Sequence, residues 1–434
     1  MLENCIGGNK MSQFVVSGTD KINGEICVSG AKNAALPVAM ASLMGHGKSV
    51  LCDIPDLRDI RNIVKIIDSL GAEVEYEDNE LTVNPDSVDK IQVPEDLAQE
   101  LRASYYILGA FLARHGQAET TIPGGCDIGD RPIDLHLKGF RALGAEVTID
   151  GTFVHIEAEQ LTGDKIYLDY PSVGATMNII MAASLADGKT VIENAAREPE
   201  IVDLANYLNV MGADIKGAGT DVIRIEGVDE LTGTEYTIIP DRIEAGTYLI
   251  MGAVTGSELY VDNVLVEHIK PLVAKLKEMG VKIEEDVDGV KVESKSNLKA
   301  VDVKTLPYPG FPTDLQAPFM VLLTQAEGES KVIETVFENR FAHVEELKKM
   351  GAEIVEKKIG HTAVVKQSAL TGTEVEATDL RAGAALILAG LVAEGETTIK
   401  EGFHIERGYE NVIEKLRGVG IDIKKIKTEA NKTE

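Results

Sequence analysis

Met211-Gly212-Ala213-Asp214-Ile215 is one of six copies of a single pattern: a large apolar residue, glycine, a small or apolar residue, any residue, then Val or Ile. The others are Leu70-Gly71-Ala72-Glu73-Val74, Leu143-Gly144-Ala145-Glu146-Val147, Met279-Gly280-Val281-Lys282-Ile283, Met350-Gly351-Ala352-Glu353-Ile354 and Val419-Gly420-Ile421-Asp422-Ile423. Their glycines stand 73, 68, 68, 71 and 69 residues apart. Near-constant spacing over six copies marks an internal repeat, and a repeat fixes the architecture before any single element does.

The neighbourhood of each copy repeats as well. HIKPLVAKLKEM (268–279) carries apolar residues at the three- and four-residue spacing of an amphipathic helix, and VKIEEDV (281–287) is short and β-prone. The glycine between them falls where a helix end needs a left-handed residue. Each unit also opens with a helix that is apolar nearly all round, such as GATMNIIMAASLA (174–186) or RAGAALILAGLVA (381–393), as a buried helix should be. A glycine-containing turn and a strand follow. The unit therefore reads as α/β, of βαβαββ type. Six such units exceed one hydrophobic core, so two domains of three units each are expected. Their boundaries fall at 32–240 for one and 11–31 plus 241–434 for the other, with 1–10 as an N-terminal extension. The strand pair within Gln13–Ser29 would complete the last unit, so the chain would cross twice between domains.

The 434 residues include 43 Lys and Arg against 71 Asp and Glu, a net charge of −28, with no Trp and 5% aromatics. An acidic surface repels phosphate backbones and anionic lipid, which disfavours nucleic-acid and membrane partners. A ring-shaped DNA clamp, also acidic and repetitive, would need basic helices facing the duplex, and the inner helices here are Ala, Leu and Ile rich. Any anionic substrate would need a local cluster of Lys and Arg. No apolar run is long enough for a membrane span, and the first ten residues lack a signal-peptide core. Cys5, Cys27, Cys52 and Cys126 form no metal-ligand spacing and read as free thiols of a cytoplasmic protein. Gly47-Lys48-Ser49 and Gly188-Lys189-Thr190 imitate the end of a P-loop. Ser42 and Ala183 stand where that motif needs its first glycine, so both are ordinary turns.

Function is expected where one unit departs from the rest. PGGCDIGDRPIDLH (123–136) is a long glycine-rich loop with a thiol, Cys126, five residues before Arg131. A thiol near cations in a polar loop has the reactivity of a nucleophile or proton donor. Lys32 opens the first buried helix, Arg102 the second and Arg381 the sixth, while Asp314 opens the fifth. Arg340 and Arg407 lie in the loops after strands of units five and six. Equivalent positions of a repeat face the same way, so these groups are expected to converge on a cationic cleft holding one carboxylate and one thiol.

SGAKNAALP (29–37), LRAS (101–104), the Cys126 loop, SVGAT (172–176), ENAAREPEI (193–201), YPGFPTDLQ (308–316), FENRF (337–341), DLRA (379–382) and HIERGYE (404–410) together resemble the enolpyruvyl transferase family. Within it they are most similar to the UDP-N-acetylglucosamine 1-carboxyvinyltransferases, which take the first committed step of peptidoglycan synthesis. The likeness runs from about Met11 to Ile426. It implies two inverse α/β barrels of three units each, transfer of enolpyruvate from phosphoenolpyruvate to the sugar 3-hydroxyl, and no metal or organic cofactor. By the same resemblance Lys32, Asn33, Arg131 and Arg407, helped by Arg381, would hold phosphoenolpyruvate. Arg102, Arg131, Pro132, Ile133, Asp134, Leu135, Ser172, Val173, Gly174, Val336 and Arg340 would line the substrate site. Asp314 would take the hydroxyl proton, and Cys126 would protonate the methylene carbon and be the thiol that fosfomycin alkylates. Some family members carry Lys two positions before Ser172; Tyr170 stands there and cannot supply that charge. The rival readings are a shikimate 3-phosphate enolpyruvyl transferase, against which Cys126 and ENAAREPEI count, and an inactive paralogue.

Overall fold

The computed structural model describes residues 11–19, 21–121, 132–294, 297–357 and 361–428. Cys126 and Arg131 therefore lie outside the described residues, as do residues 1–10.

The six repeated glycines end six helices. Each has a positive φ, from 92° at Gly420 to 116° at Gly212, a conformation that glycine adopts at no steric cost. In five copies the glycine amide bonds back three residues and the next amide bonds back five, as Gly144 does to Arg141 O and Ala145 to Phe140 O. This double closure caps the last carbonyls of the helix and turns the chain into the strand that follows.

The core helices are Lys32–Ala41, Tyr106–His115, Val173–Ala183, Arg242–Val254, Gln316–Thr324 and Leu380–Val392. Every residue from Ile243 to Val254 is buried, whereas amphipathic Lys270–Glu278 buries only Leu272, Val273 and Leu276. Small residues let the core helices approach closely. A Cβ on Gly109 would stand 2.5 Å from the Asn178 carbonyl oxygen, and the Gly109 amide donates to Asn178 Oδ1 at 2.9 Å. The helices are inside and the sheets outside, which is the inverse barrel.

One sheet illustrates the unit. Lys165–Tyr167 runs parallel to Lys189–Glu193, which pairs antiparallel with Val222–Glu226, itself paired antiparallel with Asp214–Lys216. Two sheets exchange their parallel edge strand. Glu235–Thr237, leading into unit four, pairs with Ser49–Cys52 of unit one. Glu25–Cys27, leading into unit one, pairs with Glu258–Asp262 of unit four. Met11–Ser17 lies between Glu396–Lys400 and Ile423–Thr428 in the sheet of unit six. The strands at Met11–Ser17 and Glu25–Cys27 thus do not pair with each other. The second serves unit four, because a parallel partner must run beside the strand that follows a core helix.

Buried apolar side chains gather into two clusters. One draws on residues from Ala31 to Ile238; the other draws on Phe14 to Val28 and Ile243 to Ile423. Among the described residues no helix is long and apolar enough to cross a membrane.

Candidate active site

The first turns of several core helices carry charged side chains, and one such group bridges the seam between the two clusters. Lys32, first residue of its helix, is buried, and its Nζ donates to Asp59 Oδ2 and to the Arg407 carbonyl, both at 3.0 Å. Arg407 comes from the short 3₁₀ helix Gly402–Arg407 of unit six and donates through Nε to Asp59 Oδ1 at 3.0 Å and through Nη2 to Oδ2 at 3.4 Å. One carboxylate, 6% exposed, therefore binds two cations from opposite clusters, and Arg407 keeps 37% of its side chain exposed. Burial pushes the Asp59 carboxyl up, but Lys32 and Arg407 outweigh it and hold it below the usual carboxylate range.

A second ion cluster sits wholly on the unit-five and unit-six side. Asp314, in the 3₁₀ turn Thr313–Leu315, accepts from Arg340 Nη2 at 2.6 Å and from Arg381 Nη2 at 2.9 Å. The arginine side chains are only 4% and 7% exposed, while Asp314 keeps 28%. Burial raises the Asp314 carboxyl, and Arg381 and then Arg340 reverse this and hold it far below its ordinary value. Asp379 caps the helix that starts at Leu380, accepting from the Arg381 and Ala382 amides, and lies 3.9 Å from Arg340. Nearby, Glu334 accepts from the Thr313 hydroxyl at 3.0 Å and from the Val336 amide at 2.8 Å, which sets the Val336 loop beside Asp314.

The third group belongs to units two and three. Arg102 lies over the Tyr105 ring at 5.8 Å, and Tyr105 meets His136 edge-on with ring centroids 4.9 Å apart. A Cβ on Gly174 would stand 2.7 Å from the Tyr105 hydroxyl and 3.0 Å from the His136 ring, so only glycine lets this helix start come so close. Ser172 caps the same helix by accepting from the Ala175 amide at 3.3 Å. His136 packs against Asn178 at 2.9 Å, and burial, then Arg102, lowers its pKa to about 3, so it stays neutral. Asn33, Pro132 and Asp134 are exposed, Leu135 and Val173 are half-buried, and Ile133 is buried just before the helix Asp134–Ala142. Tyr170 is 46% exposed and lies near Glu198 of one cluster and Glu334 of the other. At position 169, Asp169 pairs with Lys138 at 2.6 Å.

Two further contacts tie the seam. Arg242, at the second chain crossing, is half-buried and pairs at 2.9 Å with the buried Glu200, and the Tyr308 amide donates to Glu198 at 3.4 Å. At the first crossing Glu410 accepts from the Asp56 amide, Asn79 Nδ2 and the Ser29 hydroxyl at 2.5 to 2.6 Å.

Among the described residues the cations named from the sequence stand in three separate groups, and these hold more carboxylates than the single one expected. Asp59 serves two cations, and Asp379 lies 3.9 Å from a third, Arg340. Sequence reasoning passes over Asp59 because it sits in the first turn of the amphipathic helix Arg58–Ser69, where an acid reads as an ordinary partner of the helix dipole. A buried Lys32 that needs a counter-charge is the one hint the sequence offers. Among the described residues no group of three His, Cys, Asp or Glu is placed to hold a metal ion.

A family model described as EPSP synthase (3-phosphoshikimate 1-carboxyvinyltransferase) matches residues 16–416. The chain is 63% identical over 417 residues to the UDP-N-acetylglucosamine 1-carboxyvinyltransferase of Halothermothrix orenii, covering 96% of this chain and 100% of that one. It is 55% identical over 413 residues to UDP-N-acetylglucosamine 1-carboxyvinyltransferase 1 of Caldanaerobacter subterraneus subsp. tengcongensis, with coverage of 95% and 99%. Among solved structures, the enolpyruvyl transferase NikO from Streptomyces tendae superposes with a TM-score of 0.87 at 25% identity over 97% of this chain and all of that one. An EPSP synthase from Acinetobacter baumannii superposes with a TM-score of 0.75 at 19% identity over 96% and 100%, a likeness of fold alone.

Proposed function

The chain belongs to the EPSP synthase family of enolpyruvyl transferases, and on that premise we propose that it transfers the enolpyruvyl group of phosphoenolpyruvate to the 3-hydroxyl of UDP-N-acetylglucosamine and releases phosphate. The relatives at 55% and 63% identity carry that name, whereas the EPSP synthase structure shares 19%. That gap favours the UDP-sugar over shikimate 3-phosphate as acceptor. The structural observation that carries the reading is the meeting of Lys32 and Arg407 across the seam, a site for a small, highly charged anion set against a net charge of −28.

The domains are taken as 32–240 and 11–31 with 241–434, and the protein as cytoplasmic. Lys32, Asn33 and Arg407, joined by Arg131 and Arg381, hold the phosphate and carboxylate of phosphoenolpyruvate. Protonation of its methylene carbon by the Cys126 thiol makes the central carbon electrophilic, and the sugar hydroxyl oxygen adds to it as Asp314 takes the hydroxyl proton. The adduct then returns a methyl proton to the Cys126 thiolate and expels phosphate, which restores the vinyl group and the thiol. Fixed cations suit both anionic stages, because they need no reorganisation as charge moves onto the departing phosphate. Each Asp314 oxygen accepts from one arginine and keeps a lone pair for the hydroxyl proton, but the two guanidinium groups hold its basicity down. An anion drawing Arg381 toward itself raises that basicity, coupling phosphoenolpyruvate binding to activation of the acceptor. Arg102, Pro132 to Leu135, Ser172 to Gly174, Val336 and Arg340 line the UDP-sugar side.

The test is phosphate release from phosphoenolpyruvate with UDP-N-acetylglucosamine or with shikimate 3-phosphate, on wild type and Cys126→Ala. Release with the UDP-sugar alone, abolished or crippled by the substitution, is the expected result. Release with shikimate 3-phosphate alone overturns the acceptor, and none with either points to an inactive paralogue.

A further inference from the structure

We propose that Asp59 is a positioning residue for the substrate's anionic group: it holds Lys32 and Arg407 side by side across the seam and so assembles the anion pocket before phosphoenolpyruvate arrives. It rests on the assignment of this pocket to phosphoenolpyruvate.

The argument starts from charge. Lys32 and Arg407 stand on elements that pack into opposite hydrophobic clusters, and they meet where those elements face each other. Two cations brought that close repel, and Lys32 is buried, so without a counter-charge Arg407 would turn to solvent. Asp59 supplies the counter-charge from underneath. Its carboxylate accepts from Lys32 Nζ, Arg407 Nε and Arg407 Nη2, three charged hydrogen bonds of 3.0 to 3.4 Å. Geometry adds orientation: Arg407 is gripped at Nε and one terminal nitrogen, and Lys32 also holds the Arg407 carbonyl. The assembly of two cations and one anion keeps a net positive charge. Arg407 remains partly exposed, so an incoming anion meets a preset guanidinium instead of gathering a mobile one. Asp59 touches no reacting atom and acts only through the two cations.

Simple electrostatics and positioning predict opposite signs, and that makes the test decisive. If Asp59 merely lowers the local positive potential, its neutralisation should strengthen anion binding. If it positions the cations, neutralisation should weaken it.

The experiment compares wild type with Asp59→Asn and Asp59→Glu. Phosphate release is followed with phosphoenolpyruvate and UDP-N-acetylglucosamine varied separately, and inorganic phosphate is titrated calorimetrically without turnover. Asp59→Asn is expected to raise the KM for phosphoenolpyruvate about tenfold or more, the scale of a lost charged hydrogen bond, and to leave the KM for the UDP-sugar within about twofold. Phosphate should bind this variant more weakly than wild type. Asp59→Glu keeps the charge but shifts it by one methylene, and should show the same selective rise if Asp59→Asn does not fold. An unchanged or lower KM for phosphoenolpyruvate, an equal rise for both substrates, or phosphate binding at least as tight as in wild type overturns the proposal. A wild type that releases no phosphate overturns the assignment of the reaction instead, and the calorimetric comparison still decides the role of Asp59.

Discussion

Asp314→Asn removes the one negative charge shared by Arg340 and Arg381 and leaves the volume unchanged. Breaking a buried ion pair by neutralising one partner costs about 3–5 kcal/mol, because the other charge stays buried. Here two cations are stranded. Asp314 is 28% exposed, however, and Arg340 retains Asp379 at 3.9 Å, so the lower end of that range applies, about 3 kcal/mol. For a unit of roughly 200 residues that is a fall of about 6–12 °C in melting temperature, read by calorimetry at pH 7.5. The neighbouring Arg340→Met in a double-mutant cycle should return a coupling of about 1–3 kcal/mol. Because Asp314 is held below its unfolded value, its contribution is full above about pH 4 and drains as the pH falls further, so the gap between wild type and variant should close in acid. Phosphate release should drop by about 100-fold or more through kcat. A melting temperature within about 2 °C of wild type would refute the claim that the arginines depend on Asp314. Activity above a tenth of wild type would remove it as the base.

Two other expectations concern stability. Burial raises Asp203 to about 6 despite its hydrogen bond from the Tyr236 hydroxyl at 2.7 Å, so its contribution is greatest below its unfolded value and is lost as the pH rises through about 6. Asp203→Asn should therefore melt higher than wild type at pH 8, by up to about 2 kcal/mol in stability, and match it near pH 4; no pH dependence of the difference would sink this. Gly109→Ala must push a Cβ against the Asn178 carbonyl at 2.5 Å and should cost about 1–3 kcal/mol by overpacking. Gly280→Ala meets nothing within 4 Å and carries only the strain of φ +95°, about 1–2 kcal/mol, so chemical denaturation should rank it as the milder change.

The repeat and its helices were legible in the sequence because they are local. A glycine two residues past the last helical turn, an all-apolar helix and a β-branched strand each satisfy their own hydrogen bonds or periodicity within a dozen residues. Lys32, Arg381 and Asp314 were also legible, since a charge at the head of an apolar helix is costly to bury unless a counter-charge or a ligand meets it. Their partners were not. Asp59 meets Arg407 across 348 residues, and nothing in the run from Arg58 to Ser69 distinguishes it from a solvated acid. The destination of Glu25–Cys27 was hidden for the same reason: three residues of strand fit any parallel edge, and only the closing of two three-unit barrels assigns it to unit four. The sequence by itself determined the repeated unit and the residues that break it. Tertiary structure alone decided which of those charges neutralise one another, because burial and counter-charge depend on what the second barrel brings to the seam.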